Sequence, residues 1–189
     1  MFSILVLSLL CAHAVSAAEP ESRYSSFSGE VGAGSGSTYS TYGSNSQSRI
    51  TAVRVWERFN SGIAKIQVQH GYYWNTVCGT GSGTVHEFQL HSDEKIIQAS
   101  GKYNDYVYQI TFVTNKGRTF TVGQPSGSSF NFYPVYGQSE LRYFTGRYNS
   151  VGLTSIGFHW GVPFSASRVG LEEDSQLSSG LISSNQTHV

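Results

Sequence analysis

Apolar and polar residues alternate with a period of two along most of this chain. In "AKIQVQH" Ile66 and Val68 alternate with Lys65, Gln67 and Gln69, and in "VHEFQL" Phe88 and Leu90 alternate with Glu87 and Gln89. "YQITFVT" sets Ile110 and Phe112 on one side, and "RTFTVG" does the same with Phe120 and Val122. "TSIGFHW" gives Ile156, Phe158 and Trp160, with Ser155, Gly157 and His159 facing the other way. This alternation sends one set of side chains into a core and the other to water, as in half-buried antiparallel strands. Turn formers separate the runs: "ERFNSG", "GTGSG", "HSDE", "TNKG" and "QPSGSS". No segment carries a convincing amphipathic helical period. The pattern predicts an all-β domain.

The two ends of the chain fall outside that pattern. "FSILVLSLL" followed by "AVSAA" has the short apolar core and small-residue exit of a secretory signal peptide, residues 1–18, although a basic leading region is missing. No later run is long enough to span a bilayer, so no membrane span is expected. After Pro163 the sequence becomes Ser-rich and aperiodic, with an acidic Glu172-Glu173-Asp174, and residues 163–189 read as a disordered tail. Asn185-Gln186-Thr187 is a sequon, which makes Asn185 a candidate N-glycosylation site close to the C-terminus. The folded body is residues 23–162. It is expected to be one domain, exported and extracellular.

Composition supports the strand reading and narrows the function. Only 13% of residues are charged, while there are 21 glycines and 12 tyrosines. Net charge is zero, but between Arg23 and Trp160 eleven basic residues meet seven acidic ones, a surplus of four. A mildly basic body suits weak contact with anionic glycans or lipid surfaces. Without a dense Lys/Arg stretch, nucleic acid is not an expected partner. Once the signal peptide is removed Cys78 is the only cysteine, so no internal disulfide can form. It is either buried and inert or available to another chain, and apolar Val77 beside it favours burial.

Glycine and serine recur at a long interval. The Ser-Gly pairs 35/36, 82/83 and 126/127 are separated by 47 and 44 residues. Three units of that length would cover the body as three similar sheets around a pseudo-threefold axis, although Ser and Gly are frequent enough here for chance to produce the same spacing.

Several chemistries lack their residues. The glycine-rich stretches have Ser37 and Thr84 where a dinucleotide fingerprint needs glycine. Gly101-Lys102 is followed by Tyr103, not the Ser or Thr of a P-loop. No Gly-x-Ser-x-Gly elbow occurs. The histidines lack metal-ligand spacing, and the body's seven acids read as solvated or salt-bridged surface. No enzyme, metal or cofactor is expected. What remains is binding by shallow loops, where glycine lets a ligand approach backbone N–H groups and tyrosines such as Tyr103 and Tyr106 offer flat faces. A plain strand-to-strand turn with half-buried tyrosines would read the same way.

Five segments together resemble one family: "SSFSGEVGAGSGSTYS", "ITAVRVW", "IQVQHG", "IIQASGKYNDYVYQITFVTNKGRTFTVG" and "SIGFHW". They look like the jacalin-related lectins, and nearest to their secretory animal branch. The resemblance covers roughly residues 23–162. It implies a β-prism of three four-stranded antiparallel sheets with pseudo-threefold symmetry, and carbohydrate binding without catalysis. The glycan partners it implies are those of mucus, secretory granules or microbial surfaces.

In such lectins sugar lies between a glycine-rich first loop and a Gly-x-x-x-Asp loop near the last strand, with a third loop adjusting specificity. The resemblance places the first loop at Gly34, Ser35, Gly36 and Ser37. It places the third at Tyr103, Asn104, Asp105 and Tyr106, and the principal loop at Ser150-Val151-Gly152-Leu153-Thr154. Ser150 stands where the family has glycine and Thr154 where it has aspartate. Charge-assisted hydrogen bonds are worth about 1.5–3 kcal/mol against roughly 0.5–1.5 for neutral ones, so Thr154 replaces one bond of a carboxylate pair. Gly152 and Leu153 are expected to offer backbone N–H groups, and Lys102 and Arg147 are the nearest candidate cations. The missing carboxylate leaves a second expectation: a degenerate prism that binds a protein partner and not sugar.

Overall fold

The structure is a computed structural model that describes residues 25–59 and 61–163. The expected signal peptide, the Ser-rich tail and Asn185 lie outside the described residues. Thirteen strands follow one another: β1 (Ser26–Gly32), β2 (Ser37–Ser40), β3 (Ile50–Arg58), β4 (Gly62–His70), β5 (Tyr73–Trp74), β6 (Cys78–Gly79) and β7 (Thr84–Gln89), then β8 (Ile96–Tyr103), β9 (Val107–Thr114), β10 (Thr119–Gly123), β11 (Ser128–Phe132), β12 (Glu140–Tyr148) and β13 (Leu153–Gly161). Each run with a period of two forms a strand, and its apolar set faces inward. Ile66, Val68, Phe88, Ile110, Phe112, Val122, Ile156, Phe158 and Trp160 are all buried.

The strands pair antiparallel in three sheets, ordered β1-β13-β12-β2, β5-β4-β3-β7 and β10-β9-β8-β11. The first sheet unites both ends of the domain, with Phe27 opposite His159 and Thr145 opposite Ser40. The expected four-strand count holds for two sheets. In the other, the edge beside β4 is split: β5 pairs at Gln69 and His70, and β6 at Lys65 and Ile66. Between them Asn75 turns its carbonyl to the Gln67 side chain, which breaks the ladder.

The sheets meet through rings. Phe112 of the third sheet lies 5.7 Å from Phe144 of the first, Phe130 lies 5.6 Å from Phe158, and Phe120 stacks 4.9 Å from Phe88 of the second. Burying such a side chain contributes about 1.5–3 kcal/mol, so this shared centre fixes how the sheets face one another. Trp160 joins it at 1% exposure, with its indole N–H donating to Ser28 Oγ at 2.8 Å.

The long-interval repeat is real and has a steric cause. In every sheet an edge strand ends at a glycine, the chain crosses the end of the central hairpin, and the opposite edge strand begins. The three glycines are Gly32, Gly79 and Gly123, with φ of 117°, 106° and 97°. A Cβ at these positions would stand 2.2, 2.3 and 2.0 Å from the carbonyl oxygens of Thr154, Ala64 and Tyr108. Their spacing of 47 and 44 residues is that of the Ser-Gly pairs. All three crossings, and the turns of the three hairpins beneath them, lie at one end of the prism.

The opposite end is bound by ions. Arg142 bridges the Glu140 carboxylate and the carbonyls of Ser46, Gln47 and Ser48, and Arg49 holds Glu140 from the other side at 3.0 Å. Glu94 accepts from Arg118 at 2.6 Å, from the Thr114 hydroxyl at 2.7 Å and from the His91 amide at 3.0 Å. Glu94 and Glu140 are 1% and 3% exposed, which corrects the expectation that the body's acids are surface residues. They are buried because each finds enough donors to offset the loss of water. His70 completes this end, bonded to the Arg142 carbonyl at 2.8 Å.

Cys78 is buried and free, at 7% exposure. Its place in β6 buries it. Val77 does not, since it is 38% exposed.

Candidate functional site

The glycine end brings the three expected loops together. Residues 33–36 link β1 to β2, residues 149–152 close the β12–β13 hairpin, and residues 104–106 close the β8–β9 hairpin. The Thr154 hydroxyl donates to the Ser35 carbonyl, and the Gly34 amide donates to the Thr154 carbonyl at 3.3 Å. The third loop is reached through Asn149, whose Nδ2 donates to the Tyr106 hydroxyl at 3.2 Å.

The 149–152 turn closes on itself. Asn149 Oδ1 accepts from the amides of Val151 and Gly152 at 2.8 and 3.3 Å, and the Asn149 amide donates to the Gly152 carbonyl at 3.1 Å. An asparagine side chain that imitates a backbone turn in this way is a common local solution. It uses the Gly152 N–H that the sequence reading reserved for a ligand. Gly152 is itself buried, and a Cβ there would stand 2.6 Å from the Ile63 carbonyl.

Exposure separates the expected site residues into two groups. Ser35, Gly36, Ser37, Asn104 and Asp105 are exposed, and Gly34, Tyr103 and Tyr106 are half-buried. Leu153 and Thr154 are 0% exposed. Their side chains therefore belong to the floor under the loops, with Thr154 serving as a tether for the first loop. Ser150 stands exposed at the tip of the turn.

The cations divide as well. Arg147 donates to the Gly36 carbonyl at 3.4 Å and so lies along the first loop. Lys102 turns away to the Ser129 hydroxyl at 2.8 Å. Two residues that the sequence reading passed over take part: Asn149, and Arg58, whose Nη1 donates to the Val151 carbonyl at 2.8 Å. "NSVG" carried a signal for Asn149, an asparagine before a glycine-containing turn. Nothing in the sequence pointed to Arg58, which lies 93 positions away.

Behind the first loop, Tyr39 donates to the Ser155 carbonyl at 3.2 Å, and the Ser155 hydroxyl donates to Glu30 at 2.9 Å. Burial, then the neighbouring Cys78 and Glu30, push the Tyr39 hydroxyl well above its ordinary pKa, which keeps it a neutral donor. Among the described residues no three His, Cys, Asp or Glu side chains gather as metal ligands, and no helix is long and apolar enough to cross a membrane.

Three antiparallel sheets packed as a prism, with glycine-bounded crossings gathered at one end, define the class: an all-β domain that presents short loops on a rigid frame. Residues 28–159 match the jacalin-like lectin domain, and the chain belongs to that family. It is 42% identical to human zymogen granule membrane protein 16 over 170 residues, covering 89% of this chain and 99% of that one. A prostate-specific WGA16 glycoprotein lectin superposes with a TM-score of 0.66 at 33% identity, over 74% of this chain and all of the other. Artocarpin, a lectin with mannose specificity, shares the fold with a TM-score of 0.63 at 22% identity, over 74% of this chain and 99% of that chain.

Proposed function

We propose that this protein is a secreted, non-catalytic lectin that takes glycans at the glycine end of the prism. Mucus, secretory granule contents and microbial surfaces are the settings in which such glycans occur. The observation that carries the reading is the convergence of the three loops, joined through Thr154 to Ser35 and through Asn149 to Tyr106. The exposed polar residues of these short loops are Ser35, Ser37, Asn104, Asp105 and Ser150. Family membership and the 42% identity to zymogen granule membrane protein 16 support it further. With a neutral Thr154 in the floor and no carboxylate in the 149–154 segment, monosaccharides bind about one to two orders of magnitude more weakly than they would with an aspartate there. Binding then depends on several shallow contacts along a longer glycan. A glycan array probed with the mature protein and with Asp105→Ala tests this. Signal that falls in the variant is expected, and no signal for any glycan overturns the reading.

One observation favours a second reading, a prism that has turned to a protein partner. Asn149 occupies the Val151 and Gly152 amides and Ser35 takes the Thr154 hydroxyl, so these groups are already satisfied without ligand. Restoring the acid separates the two. If Thr154→Asp creates mannose binding in a protein whose wild type binds no glycan, the native site has left sugar recognition behind.

A further inference from the structure

The turn that closes the candidate site is held by residues outside its own sheet as well as by its internal bonds. Arg58 ends β3 in the second sheet, and its guanidinium donates to the Val151 carbonyl at 2.8 Å. Its aliphatic stem passes Gly81, where a Cβ would stand 4.0 Å from the Arg58 Cδ and 3.4 Å from the same Val151 oxygen. Among the described residues Arg58 takes part in none of the six ion pairs. Its charge is directed at a neutral carbonyl of the neighbouring sheet. From the third sheet, the Tyr106 hydroxyl accepts from Asn149 Nδ2 at 3.2 Å. Asn149 is the residue whose Oδ1 gathers the Val151 and Gly152 amides. Each neighbouring sheet therefore bonds one residue of the same four-residue turn.

The geometry points to Arg58 and Tyr106 as positioning residues. Through the Val151 carbonyl and the Asn149 carboxamide they fix residues 149–152 in one conformation, so the other two sheets set the shape of the first sheet's binding turn. A hydrogen bond from a charged donor is strong enough to hold a short turn closed against local opening. Backbone placement within such a turn decides which groups meet a ligand. The effect on ligand rests on the carbohydrate reading above, whereas the effect on the turn does not.

The test is amide hydrogen exchange on the mature protein and on Arg58→Ala, Arg58→Lys and Tyr106→Phe, together with melting curves and glycan titration. In Arg58→Ala the Val151 and Gly152 amides are expected to exchange about tenfold faster, with the core strands unchanged. Arg58→Lys, which keeps a charged donor, should recover part of the protection. Tyr106→Phe should show a smaller rise, starting at Asn149. Glycan affinity should fall several-fold in the same order while the melting temperature barely moves. Should Arg58→Ala fail to fold, the other two variants carry the test. Unchanged exchange at Val151 and Gly152 in the folded variants overturns the inference. If the wild type binds no glycan but exchange responds as described, the positioning role stands and the carbohydrate reading alone falls.

Discussion

The two ends of the prism are stabilised by different chemistry. At one end buried Glu140 is held between buried Arg142 and half-buried Arg49, and Glu94 accepts from Arg118, Thr114 and His91. At the other end the candidate loops are joined mainly through neutral groups: Thr154 to Ser35, Asn149 to Tyr106 and to its own turn. Arg58 and Arg147 reach carbonyls there, and Glu57 accepts from Gln124. The carboxylates of Glu94 and Glu140 in the first case are buried and already matched. In the second, polar groups such as Asp105 and Ser150 remain in water. One end joins its sheets through matched charges, and the other is where the proposed glycan site lies, although the same three sheets continue through both.

The largest break in that contrast should come from Arg142→Ala. Its guanidinium is the shared partner of Glu140 and three carbonyls, so removal leaves a buried carboxylate with one partner fewer. Unfolding in urea should show a loss of about 3–5 kcal/mol, with glycan binding per folded molecule unchanged.

Thr154→Asp acts at the other end and more gently. A carboxylate cannot donate to the Ser35 carbonyl and would repel it, so the first loop loses its tether. The expected cost is about 1–3 kcal/mol. If the aspartate restores sugar binding, melting curves should regain that loss on adding mannose.

Acid should distinguish the ends without mutation. Burial lowers the His70 pKa, with the Arg142 carbonyl and Asn75 opposing it, and burial lowers that of His159. A depressed folded value means that the unfolded chain binds the proton more readily. The stability these neutral imidazoles contribute is therefore complete above the unfolded pKa of about 6.5 and declines as pH falls below it. The slope is at most about 1.4 kcal/mol per pH unit for each histidine. Burial alone would raise Glu94, but the His91 amide, Thr114 and Arg118 outweigh it and hold its pKa below the usual value. Its contribution persists to lower pH and is lost as pH drops from about 4.3 through that folded value. Stability measured from pH 8 to pH 3 should thus fall in two stages. Gln at both His70 and His159 should remove the first.

The smallest effect sharpens the contrast most. Ser150 is exposed at the tip of the turn, so Ser150→Ala should change stability by less than about 0.5 kcal/mol. Any change in glycan binding by that variant would then report contact alone.

Much of the frame was legible because it depends on local rules. In "TSIGFHW" the alternation of Ile156, Phe158 and Trp160 specified a strand and its inward face. The Ser-Gly spacing marked crossings that only glycine tolerates, since a Cβ at Gly32, Gly79 or Gly123 would strike a neighbouring carbonyl. The candidate site was legible only in outline. That residues 149–154 hold no carboxylate could be read, but the burial of Thr154 and its bond to Ser35 could not, because that bond joins residues 119 positions apart. Arg58 is illegible for the same reason, since it meets Val151 across 93 positions, whereas the turn bonds of Asn149 are local and only its bond to Tyr106 depends on the fold. The acids at the other end read as surface because most of their partners are distant in sequence: Arg49 lies 91 positions from Glu140 and Arg118 lies 24 from Glu94, while Arg142, two positions from Glu140, is buried with it only by the fold.

The sequence by itself determined the strands, the side of each that faces inward, the threefold spacing of crossings and the absence of a carboxylate from the 149–154 turn. These follow from side-chain periodicity and the conformational demands of single residues, which act over a few positions. Tertiary structure alone decided which charges are buried, which candidate site residues form floor and which form rim, and how the 149–152 turn is held. Those outcomes depend on partners that become neighbours only when three sheets close on one core.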